Sequence, residues 1–492
     1  METNSFVRTF FKGHFTKSTK IVTILLMVSN MLFAQQLDYK TTFSDAEYYF
    51  LFQDYREALP LYLSIYDEGS SNANLQYRIG LCYYNIPGLK HQAIPYLEEA
   101  VKSINPSYQE GSYKETGAPA NAFFYLGEAY RVTGKLENAL EAYNTFKNTL
   151  DTRDVYNLDY VNQQIRACEL AAVMAATPIQ LSAELLELFG ETKYLFNPVV
   201  SADGNSMVFT VQEKFYDGVF WVRKDENSKW GVPVNITLDI GVEGEVYTTS
   251  INDDGTKIFL YKNDKGTGNL YYSNLVNGKW QPVSKLGKNV CSRNWETHAS
   301  ISPDGQLLFF TSTRKGGYGG LDIYVSKLNS DGEWGPALNL GPTINTAHNE
   351  ESPFLSPDGE YLYFSSQGHN SMGGYDIYYS QKDANGNWVA PINMGYPINT
   401  PDDELFYFPM GKEKGIMAKV EEGNPDSRQI YMLSIGKVLN DIEIPVEGKV
   451  KLTDNNEIQG EGIRLKLVRI EPDSVIGEVN PESVTGLFFF QR

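Results

Sequence analysis

SPDGQLLFFTS at Ser302–Ser312 and SPDGEYLYFSS at Ser356–Ser366 decide the fold, because they are two copies of one pattern. Weaker copies occur as SADGNSMVFT at Ser201–Thr210 and NDDGTKIFLY at Asn252–Tyr261. In each copy a turn that ends in glycine precedes a run of apolar residues, which is typical of a tight hairpin between two strands. The turn glycines recur at intervals of 51, 50 and 54 residues: Gly204, Gly255, Gly305 and Gly359.

Two further elements repeat in the same order within each unit. GGLDIYVS at Gly319–Ser326 matches GGYDIYYS at Gly373–Ser380, and TGNLYYS at Thr267–Ser273 is a weaker copy. A tryptophan then marks the predicted fourth strand of each unit, at Trp230, Trp280, Trp334 and Trp388. Units of about 50 residues with four strands are typical of a β-propeller, whose radial closure protects the edges of its sheets.

A degraded fifth copy lies at Leu405–Ile435, so five copies extend across residues 190–436. The sequence therefore predicts an all-β propeller of five blades in residues 178–436, or of six blades if residues 178–194 combine with a terminal strand. The units resemble WD40-like repeats of the TolB type, most strongly in the third and fourth copies. That resemblance implies the same propeller fold.

Residues 38–176 carry a different repeat, and its period is helical. Three segments align on alanines that lie 35 and 46 residues apart: Ala58, Ala93 and Ala139. The longer interval contains the polar stretch Asn105–Ala120, whose Pro, Gly and Ser content predicts a loop. The spacing resembles that of tetratricopeptide (TPR) repeats, which implies an α-solenoid of stacked helical hairpins with a concave groove for a peptide or a partner helix.

Small residues in this helical repeat have a packing role. We expect Gly127 and Ala139 to lie where the two helices of one hairpin cross, because a large side chain there would push the helices apart. Residues 152–176 carry no repeat motif, and we expect them to cap the array.

The two ends of the chain carry other signals. Four basic residues precede the apolar run IVTILLMVSNMLFA at Ile21–Ala34, which predicts a cleaved signal peptide in residues 1–34; an uncleaved anchor is the alternative. No later stretch is apolar enough to cross a membrane, so the mature chain is predicted to be periplasmic. Residues 437–492 resemble the start of a carboxypeptidase-regulatory-like β-sandwich, and we expect this domain to be incomplete.

Acidic residues outnumber basic ones by 61 to 42, which gives a formal net charge of −19. This balance argues against a nucleic-acid partner, because binding to a phosphate backbone depends on clustered Lys and Arg. It also argues against docking on an anionic membrane surface. The three cysteines include no CxxC pair, so we expect each to be a small buried residue.

The sequence predicts no catalytic residue and no metal site. It contains no phosphate-binding GxxxxGK[ST] loop, and HNSMG at His369–Gly373 lacks the first glycine of a nucleophile elbow. The histidines that follow the signal peptide have no zinc-site spacing. We therefore predict a chain that is not an enzyme and needs no cofactor, apart from a structural cation discussed next.

One carboxylate repeats at intervals of 54 residues, at the start of the predicted first strand of three units: Glu296, Glu350 and Glu404. First strands line the central channel of a propeller. These carboxylates are either structural groups that accept backbone N–H bonds between blades, or a ring at the channel mouth that binds a cation.

Long, varied loops are expected on the side of the propeller where the second strand connects to the third. Because recognition usually involves long loops on a rigid scaffold, we predict partner contacts at Arg314, Lys315, Tyr318, His369 and Asn370. The alternative is that the Gly-Gly pairs in these loops only turn the chain and that the loops contact solvent.

The order of signal peptide, TPR, TolB-like propeller and regulatory-like sandwich resembles that of Gram-negative envelope proteins of the OmpA family, including those of type IX secretion. The resemblance implies a non-enzymatic scaffold that binds envelope proteins, among them outer-membrane secretion components. The peptidoglycan-binding domain of those proteins is absent from this sequence, so peptidoglycan binding is not carried over. Two other hypotheses are a sensor that binds a solute or glycan in the propeller channel and an enzyme accessory domain.

Overall fold

A computed structural model describes residues 38–436, apart from residues 70 and 422, and the backbone of four short strands further along the chain. The predicted signal peptide lies outside the described residues. Within the described part of the chain, no helix combines the length and the apolar character needed to cross a bilayer. The chain divides into a helical unit, which ends at Ala172 and includes Val420–Asp426, and a β unit, which contains Val173–Lys419 and the residues from Ser427 onward.

The described helices of the first unit pack in consecutive pairs. Asn72 begins one of them by accepting a hydrogen bond from the Leu75 amide at 2.9 Å, which satisfies an otherwise free N–H group of the first turn. The helices are α1 (Tyr39–Leu51), α2 (Tyr55–Asp67), α3 (Ala73–Asn85), α4 (Ala93–Ala100), α5 (Ala122–Val132), α6 (Leu136–Thr149) and α7 (Val155–Ala176).

Glycines allow close approach within two of these pairs. A Cβ atom on Gly80 would lie 2.6 Å from Leu97 Cγ, and one on Gly127 would lie 2.7 Å from two ring carbons of Tyr143. Ala139 is fully buried. The helices therefore cross closely where the small residues of the repeat predict a crossing. The TPR assignment itself stays a prediction.

The β unit consists of successive antiparallel sheets. Its first strand, β1 (Leu181–Leu185), pairs with β21 (Asn424–Ile435). The first sheet contains β2 (Tyr194–Val200), β3 (Ser206–Gln212), β4 (Asp217–Arg223) and β5 (Val234–Asn235). The second contains β6 (Val246–Ile251), β7 (Lys257–Asn263), β8 (Gly268–Val276), β9 (Lys279–Trp280) and β10 (Ser284–Lys285).

The third, fourth and fifth sheets follow the same plan. The third contains β11 (Glu296–Ile301), β12 (Leu307–Ser312), β13 (Asp322–Lys327) and β14 (Leu338–Asn339). The fourth contains β15 (Glu350–Leu355), β16 (Tyr361–Ser366), β17 (Asp376–Gln381) and β18 (Ile392–Asn393). The fifth contains β19 (Phe408–Pro409), β20 (Lys414–Glu421) and β21 (Asn424–Ile435), with β1 added to β21. A single parallel pair, Tyr194 of β2 opposite Arg428 of β21, joins it to the first sheet.

The first strands of the five sheets contact one another in ring order. β2 contacts β6, β6 contacts β11, β11 contacts β15, β15 contacts β19, and β19 contacts β2. Sheets arranged radially about their first strands define a β-propeller-like fold. The prediction of a helical region followed by a propeller-like β region is confirmed.

Strand β1 forms the outer edge of the fifth sheet. It pairs antiparallel with β21, from Leu181 opposite Ile435 to Leu185 opposite Tyr431. The segment that could have contributed to a sixth blade therefore supplies the outer strand of the fifth sheet. The choice between five and six blades stays a prediction.

The fourth strands begin later than predicted in three sheets. Trp230, Trp334 and Trp388 each form only an isolated bridge, and β5, β14 and β18 begin four residues further on. A proline lies two or three residues after each tryptophan and has no N–H to donate, so the strand pairing is interrupted there.

Four strands are described beyond the β unit's ring. β22 (Val446–Lys449) pairs with β25 (Leu487–Phe490), and β23 (Leu465–Arg469) pairs with β24 (Ser474–Val479), both antiparallel. The β-sandwich in residues 437–492 stays a prediction, because most of this segment lies outside the described residues.

Candidate functional site

The three repeated glutamates are buried at the points where the chain enters the third, fourth and fifth sheets. Each accepts two hydrogen bonds from the residue four positions earlier, one from its amide at 2.8–2.9 Å and one from its hydroxyl at 2.6–2.7 Å: Glu296 from Ser292, Glu350 from Thr346, and Glu404 from Thr400. Each carboxylate therefore fixes the segment that leads from the preceding sheet into its own sheet, which we call the link.

These bonds agree with the structural role that the sequence allows for the glutamates. Within the described residues, no group of three or more His, Cys, Asp and Glu side chains is placed to hold a metal ion. The other interpretation, a ring of carboxylates that binds a cation, stays a prediction.

An asparagine in two of these links binds the preceding sheet. Asn345 Oδ1 accepts from the Ile323 amide at 2.8 Å, and its Nδ2 donates to the Ile323 carbonyl at 2.9 Å. Asn399 forms the same pair of bonds with Ile377, at 2.7 and 2.8 Å. Because the next residue in each link is the threonine that binds glutamate, two consecutive residues join neighbouring sheets. Both are part of a repeated Ile-Asn-Thr sequence.

Arg314 occupies a slot at the base of the loop between β12 and β13. Its guanidinium carbon lies 4.8 Å from the ring centre of Phe310 and 4.9 Å from that of Tyr324. The same group donates to the Val290 carbonyl at 2.5 Å and to Glu296 Oε1 at 3.3 Å. Most of the Arg314 side chain therefore contacts other residues of the β unit.

His369 fills the corresponding slot in the fourth sheet. Its ring lies 6.0 Å from that of Phe364 and 5.3 Å from that of Tyr378, and its Nε2 lies 2.9 Å from the Ile344 carbonyl oxygen. Burial of the ring lowers the pKa of His369. Arg314 and His369 therefore support the bases of their loops.

The other three predicted contact residues lie on the outer parts of the same loops. Lys315 and Asn370 are exposed, and Tyr318 is 52% exposed. The loop base also contacts the next link, since the Gly320 amide donates to the His348 carbonyl at 3.0 Å. The partner-contact role of all five residues stays a prediction, and the structure gives Lys315, Tyr318 and Asn370 the accessible positions.

Replacing Arg314 with Gln is expected to lower the free energy of unfolding of the β unit by about 2 kcal/mol, because the change leaves the buried Glu296 without its cation. The matched change Lys315→Gln, on an exposed neighbour, is expected to stay within about 0.5 kcal/mol of the parent. Urea unfolding of the full chain measures both. Equal losses of unfolding free energy in the two variants would contradict the stabilising contacts described for Arg314.

A second prediction concerns pH. Burial raises the pKa of Glu350 to about 6, with a further rise from nearby Asp322, and hydrogen bonds from Thr346 and Ser366 only partly oppose this. The folded state then holds the proton more tightly than the unfolded chain, so this contribution to stability is complete below about pH 4.5 and is lost as pH rises through 6.

Between pH 5 and pH 7 the parent should therefore lose about 1 kcal/mol more stability than Glu350→Gln does. Thermal and urea unfolding at the two pH values measure the difference. The exposed change Glu360→Gln serves as the control and should leave the pH dependence of the parent intact. Parallel pH profiles for the parent and Glu350→Gln would refute this assignment.

A histidine and a carboxylate meet at the inner strands and were not predicted. His298 Nδ1 bonds the Glu351 carboxylate, and the Thr297 hydroxyl donates to both oxygens of that carboxylate at 3.0–3.1 Å. The His298 ring lies 5.4 Å from Tyr247 and 5.6 Å from Phe406. These contacts join first strands around the ring. Because the other copies carry different residues at the position of His298, the repeat alignment contains no signal for this pair.

A small cavity lies where the first strands of all five sheets end. It measures about 100 Å³, and its lining includes Ser300, Phe354 and Phe408. Ser300 Oγ is buried there without a hydrogen-bond partner among the described residues. At roughly 30 Å³ per water molecule, this cavity is far smaller than the ~300–1,000 Å³ typical of ligand pockets.

The strand order and the ring of inner strands define the β unit as propeller-like. No protein-family model matches the sequence, and no curated protein matches it. Solved structures with some similarity include TolB from Acinetobacter baumannii, at 14% identity and a TM-score of 0.30 over 56% of this chain and 70% of that one.

Two enzymes show a comparable similarity. A thermostable family-43 glycoside hydrolase has 13% identity and a TM-score of 0.34 over 52% of this chain and 96% of that one. A PQQ-bound aldose sugar dehydrogenase from Streptomyces coelicolor has 9% identity and a TM-score of 0.29 over 52% of this chain and 99% of that one. Similarity this low carries no inference about function.

Proposed function

We propose that this chain is a non-enzymatic periplasmic scaffold that binds envelope proteins through its TPR-type helical groove and through the long loops of its propeller. The sequence resemblance to OmpA-family envelope proteins supports a place in an outer-membrane-associated assembly, of the kind found in type IX secretion. The acidic balance of the chain favours protein partners over nucleic acid.

The observation that carries the proposal is the contrast between the bases and the tips of the loops. Arg314 and His369 hold the bases in buried slots, while Lys315, Tyr318 and Asn370 remain accessible on the outer parts. A rigid base reduces the entropy that a loop loses when it binds, which is how a scaffold presents a recognition surface.

Lys315→Glu combined with Tyr318→Ala tests the proposal. We expect the double variant to melt at the temperature of the parent and to lose at least one partner retrieved from crosslinked envelope extracts. Lys327→Glu is the matched control, since Lys327 is also exposed but lies at the end of β13 away from these loops. A folded double variant that retrieves every partner of the parent would contradict a role for these loops.

The cavity at the ends of the first strands favours a second candidate, a sensor for a solute that binds within the ring. Its volume of about 100 Å³ suits a solute of a few heavy atoms better than a glycan. A ligand that binds only the folded state raises the melting temperature by an amount that grows with the logarithm of its concentration above Kd. A screen of small solutes that produces no such shift would count against this candidate.

A further inference from the structure

The polar insertion in the helical unit folds back onto the first helices of the hairpins. The Tyr108 hydroxyl donates to Asn74 Oδ1 at 2.7 Å, and the Tyr108 ring lies 6.3 Å from the Tyr77 ring. Arg78 Nη1 lies 3.5 Å from Glu110 Oε1. The insertion therefore places an aromatic hydroxyl and a carboxylate on one face of α3.

That face is shared with the neighbouring first helices. Arg78 also donates to Glu47 on α1 at 3.1 Å, and the Tyr77 ring lies 6.2 Å from Tyr125 on α5. Lys40 on α1 lies 5.3 Å from the ring centre of Tyr113 in the insertion. The insertion thus crosses the surface that stacked hairpins of this type use as a groove for peptides.

The base of the insertion is held firmly. The Glu115 carboxylate accepts hydrogen bonds from Asn105 Nδ2 and from the amides of Gln109, Thr116 and Gly117, all at 2.9–3.0 Å. These bonds lower the pKa of Glu115 to about 2, with the bond from Asn105 contributing most. The base of the insertion is therefore ordered by its own hydrogen bonds.

The tip is held less firmly. The side chain of Glu110 is 79% exposed, and its contact with Arg78 is at the limit of a hydrogen bond. Gly111 has a positive φ of 70° and lies next to Glu110. The tip can lift once these polar contacts break: the Gln109 amide bond to Glu115, the Tyr108 bond to Asn74 and the Glu110 contact with Arg78. The bonds of Glu115 to Asn105, Thr116 and Gly117 then keep the base in place.

We propose that the tip of the insertion, residues 107–114, is a built-in competitor for this groove, and that the partner is an extended segment with a tyrosine two residues before a carboxylate. This inference rests on the proposed function, because it names the chemistry of a partner for the helical groove. The partner's tyrosine donates to Asn74 as Tyr108 does, and its carboxylate pairs with Arg78 as Glu110 does.

The probe is a synthetic peptide of residues 104–114 with blocked ends, and the full chain with Tyr108→Ala and Glu110→Gln is the receptor. In the parent, the tip competes with the peptide at an effective concentration of about 1 mM. If the tip and the peptide both bind the groove with a Kd of about 100 µM, the tip weakens the binding of the peptide by about tenfold. We therefore expect the peptide to bind this variant about tenfold more tightly than the parent in a fluorescence anisotropy titration.

Two controls make the result specific. A peptide with Phe at the position of Tyr108 and Gln at the position of Glu110 should lose the gain, because it lacks the hydroxyl and the charge. In the receptor, Glu110→Gln alone should give a smaller gain in affinity, and Glu99→Gln, an exposed change on α4, should give none.

Equal peptide affinity for the parent and the double variant would overturn the competitor role, and no binding to either would overturn the groove as a peptide site. The single change Glu110→Gln decides the question even if the double variant does not fold, because Glu110 is largely exposed. The titration uses only the purified chain and a peptide, so it can fail independently of partner retrieval from envelope extracts.

Discussion

Replacing Glu128 with alanine is expected to destabilise the helical unit by about 3–5 kcal/mol, because it breaks a buried ion pair on one side only. Glu128 accepts from Arg131 Nη2 at 2.8 Å, from the Tyr84 hydroxyl at 2.7 Å and from the Tyr143 hydroxyl at 2.6 Å. Arg131 is only 2% exposed, so the variant retains a buried guanidinium without its carboxylate. Urea unfolding followed by helical circular dichroism measures the loss.

The control is Glu141→Ala, since Glu141 is exposed on the next helix, and we expect a change within about 0.5 kcal/mol there. Removing both charges with Glu128→Leu and Arg131→Leu should recover much of the loss, because the cost arises mainly from breaking a buried charge pair on one side only. A loss below about 1 kcal/mol for Glu128→Ala would show that the bonds of Glu128 to Arg131 on its own helix, and to Tyr84 and Tyr143 on neighbouring helices, contribute little to the stability of the helical unit.

The repeated elements were predictable because their sequence signals are local. A glycine at the turn between two strands needs a positive φ, and Gly305 and Gly359 have φ values of 71° and 76°. The spacing of these turns specifies a unit of constant length, and sheets of constant length can close a ring. Gly127 was predictable for a similar reason, since a helix crossing that leaves no room for a Cβ needs glycine.

The sites depend on contacts between residues that are distant in sequence. Alignment of the third and fourth units pairs Lys315 with His369, yet it is Arg314 that fills the slot equivalent to that of His369. Arginine has the longer side chain, so it reaches the slot from a position one residue earlier. A repeat alignment compares positions along the chain and cannot show which side chains occupy the same space.

The insertion at Asn105–Ala120 illustrates the same limit. Its composition predicts a loop, and most of its residues are indeed outside regular structure. The bond from Tyr108 to Asn74 joins residues 34 positions apart, and nothing in the local sequence of either indicates it. The order of this loop therefore becomes visible only in the folded chain.

Asn399→Ala is the second change with a large expected effect, and it acts on the coupling between neighbouring sheets. Asn399 is fully buried and forms hydrogen bonds with both backbone groups of Ile377 and with Asn393 Oδ1 at 2.7 Å. Alanine would leave the Ile377 amide buried without its partner, which costs about 1–3 kcal/mol. The other two groups would each lose one of two bonds, because the Ile377 carbonyl also accepts from the Met394 amide at 3.0 Å and Asn393 Oδ1 also accepts from the Gly395 amide at 2.8 Å. We expect the β unit to lose about 2–4 kcal/mol of its free energy of unfolding, from the orphaned amide together with the two lost bonds.

Asn387→Ala is the matched control on the same sheet, since Asn387 lies in an exposed turn and its backbone bond to Asp383 survives the change. Asn345→Ala, in the preceding link, should repeat the loss, because Asn345 makes the same bonds one sheet earlier. The threonine after each asparagine binds the glutamate of the following sheet. Without the asparagine bonds, the link is held by this threonine to the following sheet but no longer by the asparagine to the preceding one. If Asn345→Ala and Asn399→Ala unfold at the urea concentration of Asn387→Ala, the Ile-Asn-Thr links do not couple the sheets.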